Sequence, residues 1–89
     1  MLKIRYSNQF KKDFKKLRSS PLPDLKLVFE IISALEKNVI LDKKYKDHEL
    51  SGNWAKFREC HIKPDLLLIY KVNSEELQLA RLGSHSDLF

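Results

Sequence analysis

The sequence predicts an α+β domain: one strand, two helices in an antiparallel hairpin, then a three-stranded meander, with the helices on one face of a mainly antiparallel sheet. Three observations lead there. Apolar residues recur at helical spacing only before residue 38, strand patterning dominates after residue 53, and 89 residues leave room for a single domain, 1–89.

The elements follow in order. Leu2-Lys-Ile-Arg-Tyr6 alternates and reads as a short strand. Ser7 is a suitable N-cap, and Phe10, Phe14 and Leu17 make one stripe of a first helix. Ser19-Ser-Pro-Leu-Pro23 breaks the pattern. A second helix is expected from about Asp24 to Lys37, with Leu25, Val28, Ile31, Ile32 and Leu35 as its apolar face. Periodicity then fades, and 38–53 reads as an extended, polar, ordered loop. Residues 54–62 alternate, placing Ala55, Phe57, Glu59 and His61 opposite Trp54, Lys56, Arg58 and Cys60. Lys63-Pro64-Asp65 is turn chemistry, because proline pre-sets φ and lacks the N–H a ladder needs. Leu66–Tyr70 is continuously apolar, as expected of a central strand buried on both faces. Asn73–Glu76 is a second turn, residues 77–83 a last strand, and 84–89 a tail.

The net charge of +5 is unevenly placed. Residues 1–18 hold seven Lys and Arg against one acid, whereas 19–89 hold ten against eleven. The excess sits mainly on helix 1, at Lys11, Lys12, Lys15 and Lys16, and suits a phosphate backbone or an acidic protein. No apolar run approaches the ~18 residues of a membrane span. No apolar leader directs export, and with Cys60 as the only cysteine no disulfide is possible, so a reducing cytoplasm fits.

The chemistry concentrates in the second half. His48 precedes the hairpin, His61 flanks its turn and His85 follows the last strand. In a meander the first and third strands run the same way, so His61 and His85 come to one sheet edge. Arg81 shares parity with His85, and Asp65 lies in the turn. Each has a plainer reading: loop histidines as surface residues, Asp65 as a turn residue, Arg81 as an ion-pair partner of Glu59. Their convergence outweighs these. No HxH or HxxxH spacing marks a metal site, so no metal or other cofactor is expected. Cys60 and His61 point to opposite faces, which argues against a thiol–imidazole pair. RNA cleavage suits the set better. It needs a base for the ribose 2′-OH, an acid for the leaving 5′ oxygen and a cation for the phosphorane. Tyr45 or Phe89 could stack a base, with Lys46 and Lys63 as further RNA contacts.

Tyr45-Lys-Asp-His-Glu-Leu50, Gly52-x-Trp54, Phe57-Arg-Glu-Cys-His61 with Pro64–Tyr70, and Arg81-Leu-Gly-Ser-His85 with Leu88-Phe89 together resemble the YafQ-like branch of the RelE/ParE toxin superfamily. The resemblance implies a RelE-like fold and a metal-independent endoribonuclease cutting mRNA in the ribosomal A site. It also implies a cognate antitoxin that neutralises it and through which alone it meets DNA. Carried over by position, His48 is the loop histidine, His61 and Asp65 the hairpin pair, Arg81 the phosphate-binding arginine, His85 the critical acid/base and Phe89 the stacking aromatic. Leu66 departs from the tryptophan of some members. The expected division of labour makes His85 the acid and His48 or Asp65 the base. Two other classes remain open: a ParE-type gyrase poison, and a non-catalytic member that represses with its antitoxin.

Overall fold

The computed structural model describes residues 1–21 and 23–89; Leu22, in the expected helix break, lies outside them. The chain runs β1 (Lys3–Tyr6), α1 (Asn8–Arg18), α2 (Leu25–Glu36), β2 (His48–Glu49), β3 (Arg58–Lys63), β4 (Leu66–Val72), β5 (Glu76–Gly83) and α3 (His85–Leu88). The strands form one sheet in the order β1-β5-β4-β3-β2, with β1 parallel to β5 and the other pairs antiparallel. Both long helices begin as the sequence predicts. The side chain of Ser7 accepts from Phe10 N–H, and that of Asp24 from Leu27 N–H.

The β4 strand is buried on both faces, and successive side chains enter different cores. Leu66, Leu68 and Tyr70 pack under α1 and α2 with Phe10, Val28, Ile31, Ile32 and Leu35. Leu67 and Ile69 meet Leu88, Leu50, Trp54 and Phe57 on the opposite face. On α2, Leu27 rather than Leu25 joins the helix-side core. The β4–β5 register shifts between Ile69 and Tyr70, so that Arg81 pairs with Ile69 and Leu79 with Tyr70. This irregularity lets Leu77, Leu79 and Leu82 all reach the helix-side core, which strict alternation forbids.

The structure corrects the sequence reading in three places. Strand β3 starts at Arg58, not at residue 54, because Gly52–Trp54 is a 3₁₀ turn and Lys56 takes a φ of 75°. This break in alternation brings Trp54 and Phe57, expected on opposite faces, edge to face at 5.3 Å in the second core. The loop 38–53 contains a 3₁₀ turn, Lys43–Tyr45, and a two-residue strand, β2, paired to β3. The tail is a helical turn, α3, closed by a capping box between Ser84 and Asp87.

A buried polar contact ties α1 to the sheet. Asp13 lies on the inner side of α1 and is 9% exposed. It accepts from Arg81 Nε at 2.8 Å, Arg81 Nη2 at 3.3 Å, the backbone N–H of Leu82 at 3.0 Å and Gln9 at 3.3 Å. Burial pushes its carboxyl upward, but the Arg81 hydrogen bond, the Leu82 N–H, Gln9 and the Arg81 charge together hold it below its ordinary 3.8. Because the folded value is the lower one, the stability that Asp13 contributes is full above pH about 4 and fades as pH falls through the folded value. Asp13→Asn should lower unfolding free energy by about 1–3 kcal/mol in urea titrations at pH 7. The gap between variant and wild type should shrink as the pH is taken below about 4.

Candidate active site

Three imidazoles form an arc at the end of the sheet that carries the β3–β4 turn. The His48 and His61 ring centroids are 6.1 Å apart, and those of His61 and His85 5.6 Å apart. Each ring arrives by a different route. His61 projects from β3 away from the helices, since its neighbours Cys60 and Ile62 fill the helix-side core. The β2 strand places His48 opposite Glu59 of β3. His85 opens α3, whose Leu88 anchors it to the second core.

Each ring is also held by a specific partner. His85 Nδ1 lies 2.7 Å from Asp65 Oδ1, and the same oxygen accepts the backbone N–H of His85 at 2.9 Å. An ionised carboxylate there fixes the proton on Nδ1 and leaves Nε2 to face outward. The backbone and side-chain N–H groups of His85 hold the Asp65 carboxyl below the usual range, so it remains ionised. His48 Nδ1 sits 2.6 Å from the Lys46 carbonyl, which likewise requires a proton on Nδ1. Glu59, 5% exposed, lies between His61 Nε2 at 3.3 Å and His48 Nε2 at 3.6 Å. The His48 loop is pinned from behind by Asp47, which accepts from buried Tyr70 at 2.8 Å and from Arg58 at 3.1 Å.

Two open clefts flank the arc. One, of about 590 Å³, is lined by Tyr45, Lys46, His61, Lys63 and His85. The other, of about 480 Å³, holds Lys12, Lys16, Lys63, Asp65 and Arg81. Lys63 borders both and pairs with Asp24 at 3.3 Å. Arg81 lines the second cleft with Asp65, the partner of His85, rather than the histidine-lined one, and its ion-pair partner is Asp13, not Glu59. Its Nε and Nη2 are turned to Asp13, leaving Nη1 free of that contact. Tyr45 is half-buried against the main core with Lys44 5.2 Å above its ring, whereas Phe89 is 63% exposed. Leu88, not Phe89, fills the core at the C-terminus. Lys11, Lys12, Lys15 and Lys16 are all exposed on α1, and Lys16 bonds Asp87 at 2.9 Å.

Two residues of this region escaped the sequence reading. Glu59 entered only as one member of an alternating strand and as a plainer ion-pair partner for Arg81; its parity with His61 is the signal. Asp13 is the sole acid among seven bases in residues 1–18 and sits on the Phe10 side of α1.

A helical pair on one face of a five-stranded mixed sheet, with a histidine- and carboxylate-lined sheet end, is the build of a small RelE-like toxin. Residues 2–89 match the family described as "Bacterial toxin of type II toxin-antitoxin system, YafQ". The chain belongs to that family. It is 36% identical over 86 residues to the mRNA interferase toxin YafQ of Escherichia coli K12, covering 97% of this chain and 94% of that protein. A copper-bound mutant toxin from Helicobacter pylori superposes with a TM-score of 0.93 at 49% identity, with all of both chains covered. The E. coli DinJ–YafQ complex gives 0.91 at 36%, covering 100% of this chain and 99% of that one.

Cys60, next to His61 in sequence, takes no part in the cluster. Burial, then the charges of Asp47 and Glu59, push its thiol up to about 12. The folded protein should resist maleimide labelling at pH 8, and Cys60 should label rapidly once urea unfolds the chain.

Proposed function

We propose that this chain is an mRNA interferase: the toxin of a type II pair, an endoribonuclease that cuts mRNA in the ribosomal A site by acid–base chemistry without a metal. The observation that carries the reading is the His85–Asp65 contact at 2.7 Å, which presents His85 Nε2 beside two further imidazoles. In the proposed reaction the 2′-OH loses its proton to His48 and attacks the adjacent phosphorus. The 5′ oxygen leaves with a proton from Nε2 of His85, whose ring carries a proton on each nitrogen at that step with its charge balanced by Asp65, giving a 2′,3′-cyclic phosphate and a 5′-OH. Asp65 acts as the positioning partner of His85, since its carboxylate is already engaged there. This favours His48 over Asp65 as the base. His61, between the other two rings, and Arg81 Nη1 offer hydrogen bonds to the phosphoryl oxygens as charge builds on them. Exposed Phe89 suits stacking on an unpaired base. Lys46 and Lys63 border the cleft for backbone contacts, and half-buried Tyr45 forms its wall.

The reading includes a bacterial cytoplasmic setting and a cognate antitoxin as the neutralising partner, with DNA reached only through that complex. The exposed lysines of α1 suit either ribosomal RNA or an acidic antitoxin segment. Among the described residues no helix is long and apolar enough to cross a membrane.

Primer extension on a defined message in a reconstituted translation system provides the test. Wild type should produce discrete in-frame cuts. His85→Ala should slow cleavage by about 10²–10⁴-fold, the usual weight of a positioned acid or base. Phe89→Ala should weaken cleavage by roughly tenfold, in line with the loss of one stacked base. An uncut message with translation intact would overturn the reading and direct attention to a DNA-supercoiling assay for a gyrase poison.

A further inference from the structure

We propose that Asp47 and Tyr70 are positioning residues for the reaction: their hydrogen bond across the sheet sets the orientation and the ring tautomer of His48. The proposal deepens the ribonuclease reading and its kinetic half rests on it, whereas the orientation of His48 is a property of the chain alone.

His48 stands where the sheet supplies little to hold it. The β2 strand is two residues long and lies at the edge, pairing His48 with Glu59 and Glu49 with Arg58. The residue before Asp47 is in an uncommon conformation. Lys46 closes the 3₁₀ turn Lys43–Tyr45 with φ 50° and ψ 41°, in the left-handed region that a lysine seldom occupies. In this conformation the Lys46 carbonyl meets His48 Nδ1 at 2.6 Å. Such a backbone persists only where its surroundings over-determine it. Asp47 supplies the constraint. Neighbouring residues of an extended chain point to opposite faces, so His48 joins the imidazoles while the Asp47 side chain turns to the helix side.

There a single oxygen, Asp47 Oδ1, accepts from Tyr70 Oη at 2.8 Å and from Arg58 Nε at 3.1 Å. Tyr70 is 2% exposed and pairs with Arg58 in the β3–β4 ladder, so the anchor reaches the buried centre of the sheet. Burial, then the hydrogen bond and the charge of Asp47, push the Tyr70 hydroxyl well above its ordinary 10, and it remains a donor at neutral pH. Phenylalanine would fill the same space in the core, so packing explains the ring and Asp47 explains the hydroxyl. Slack in this anchor passes to His48 through one peptide unit. A proton fixed on Nδ1 leaves the lone pair on Nε2, where the proposed base needs it; a ring released from the Lys46 carbonyl populates both tautomers.

Proton–nitrogen correlation spectra of the histidine rings, recorded on the full chain without RNA at about pH 8 where imidazoles are neutral, test the orientation. Wild-type His48 should show the Nδ1-protonated tautomer. Tyr70→Phe, which removes one oxygen and keeps the packing, should mix the tautomers at His48 and not at His85, whose Nδ1 is held by Asp65. Asp47→Ala should mix them further, and Asp47→Asn, whose amide oxygen still accepts both donors, should restore the wild-type spectrum. An unmixed His48 in both Tyr70→Phe and Asp47→Ala would overturn the proposal. In single-turnover cleavage, Tyr70→Phe should lower the maximal rate roughly tenfold and Asp47→Ala up to about a hundredfold, with half-saturation unchanged. Glu49→Gln, altering the 80% exposed acid on the other side of His48, should match wild type. Weaker half-saturation at an unchanged maximal rate would overturn the positioning role. Mixed tautomers with undiminished cleavage would remove His48 as the base, and the kinetic half with it. A wild type with the expected His48 tautomer that never cuts RNA would sink the ribonuclease reading and leave the anchor standing.

Discussion

Five consecutive apolar residues, Leu66–Tyr70, sit in a strand whose side chains alternate between faces, so both faces of β4 must be covered. Most of the architecture answers that constraint. The helices α1 and α2 cover Leu66, Leu68 and Tyr70. Among the described residues no helix of comparable length covers the other face, and Leu67 and Ile69 are sealed by Leu50, Trp54, Phe57 and the last turn through Leu88. The second cover is irregular chain, and irregular chain can carry functional groups. Docking Leu88 brings His85 onto Asp65, and folding the segment before β3 over the sheet brings His48 opposite Glu59.

The candidate site is thus a by-product of how a two-faced strand is closed at one end. Its polar groups are held by contacts from outside the cluster. Tyr70, itself part of the helix-side core, donates to Asp47 next to His48, and the Ser84–Asp87 capping box fixes the helical turn that begins with His85. On the other side of the sheet, Asp13 grips Arg81 and the Leu82 N–H, joining α1 to β5. Packing and site geometry are therefore coupled: loosening Asp13 affects both the helical layer and the direction in which Arg81 presents its remaining donors.

The charge distribution separates along the same lines. The basic excess lies on α1, yet much of the charge near the clefts is internally matched: Lys16 by Asp87, Lys63 by Asp24 and Arg81 by Asp13. The two lysine pairs are solvent-exposed and individually weak, so an incoming phosphate can exchange for their carboxylate partners at small cost, whereas Arg81 and Asp13 are mostly buried. Lys11, Lys12 and Lys15 complete an exposed basic surface outside the histidine arc.

Features that depend on neighbours along the chain were legible before any fold was known. Helical stripes, the Ser7 and Asp24 caps, the Pro64-Asp65 turn and the apolar run of β4 are set within a few residues, where propensity and periodicity act. The blocks of residues that carry the family resemblance were legible for the same reason. Tertiary structure alone decided the pairings across distance: Asp13 with Arg81 over 68 positions, His85 with Asp65 over 20, and Glu59 between two histidines from different strands. It also decided the register shift that returns Leu82 to the helix-side core, and the kink at Lys56 that puts Trp54 on the same face as Phe57. Alternation in a sequence says which residues share a strand face. Which strand lies opposite, and in what register, is fixed only when both faces of the sheet are packed.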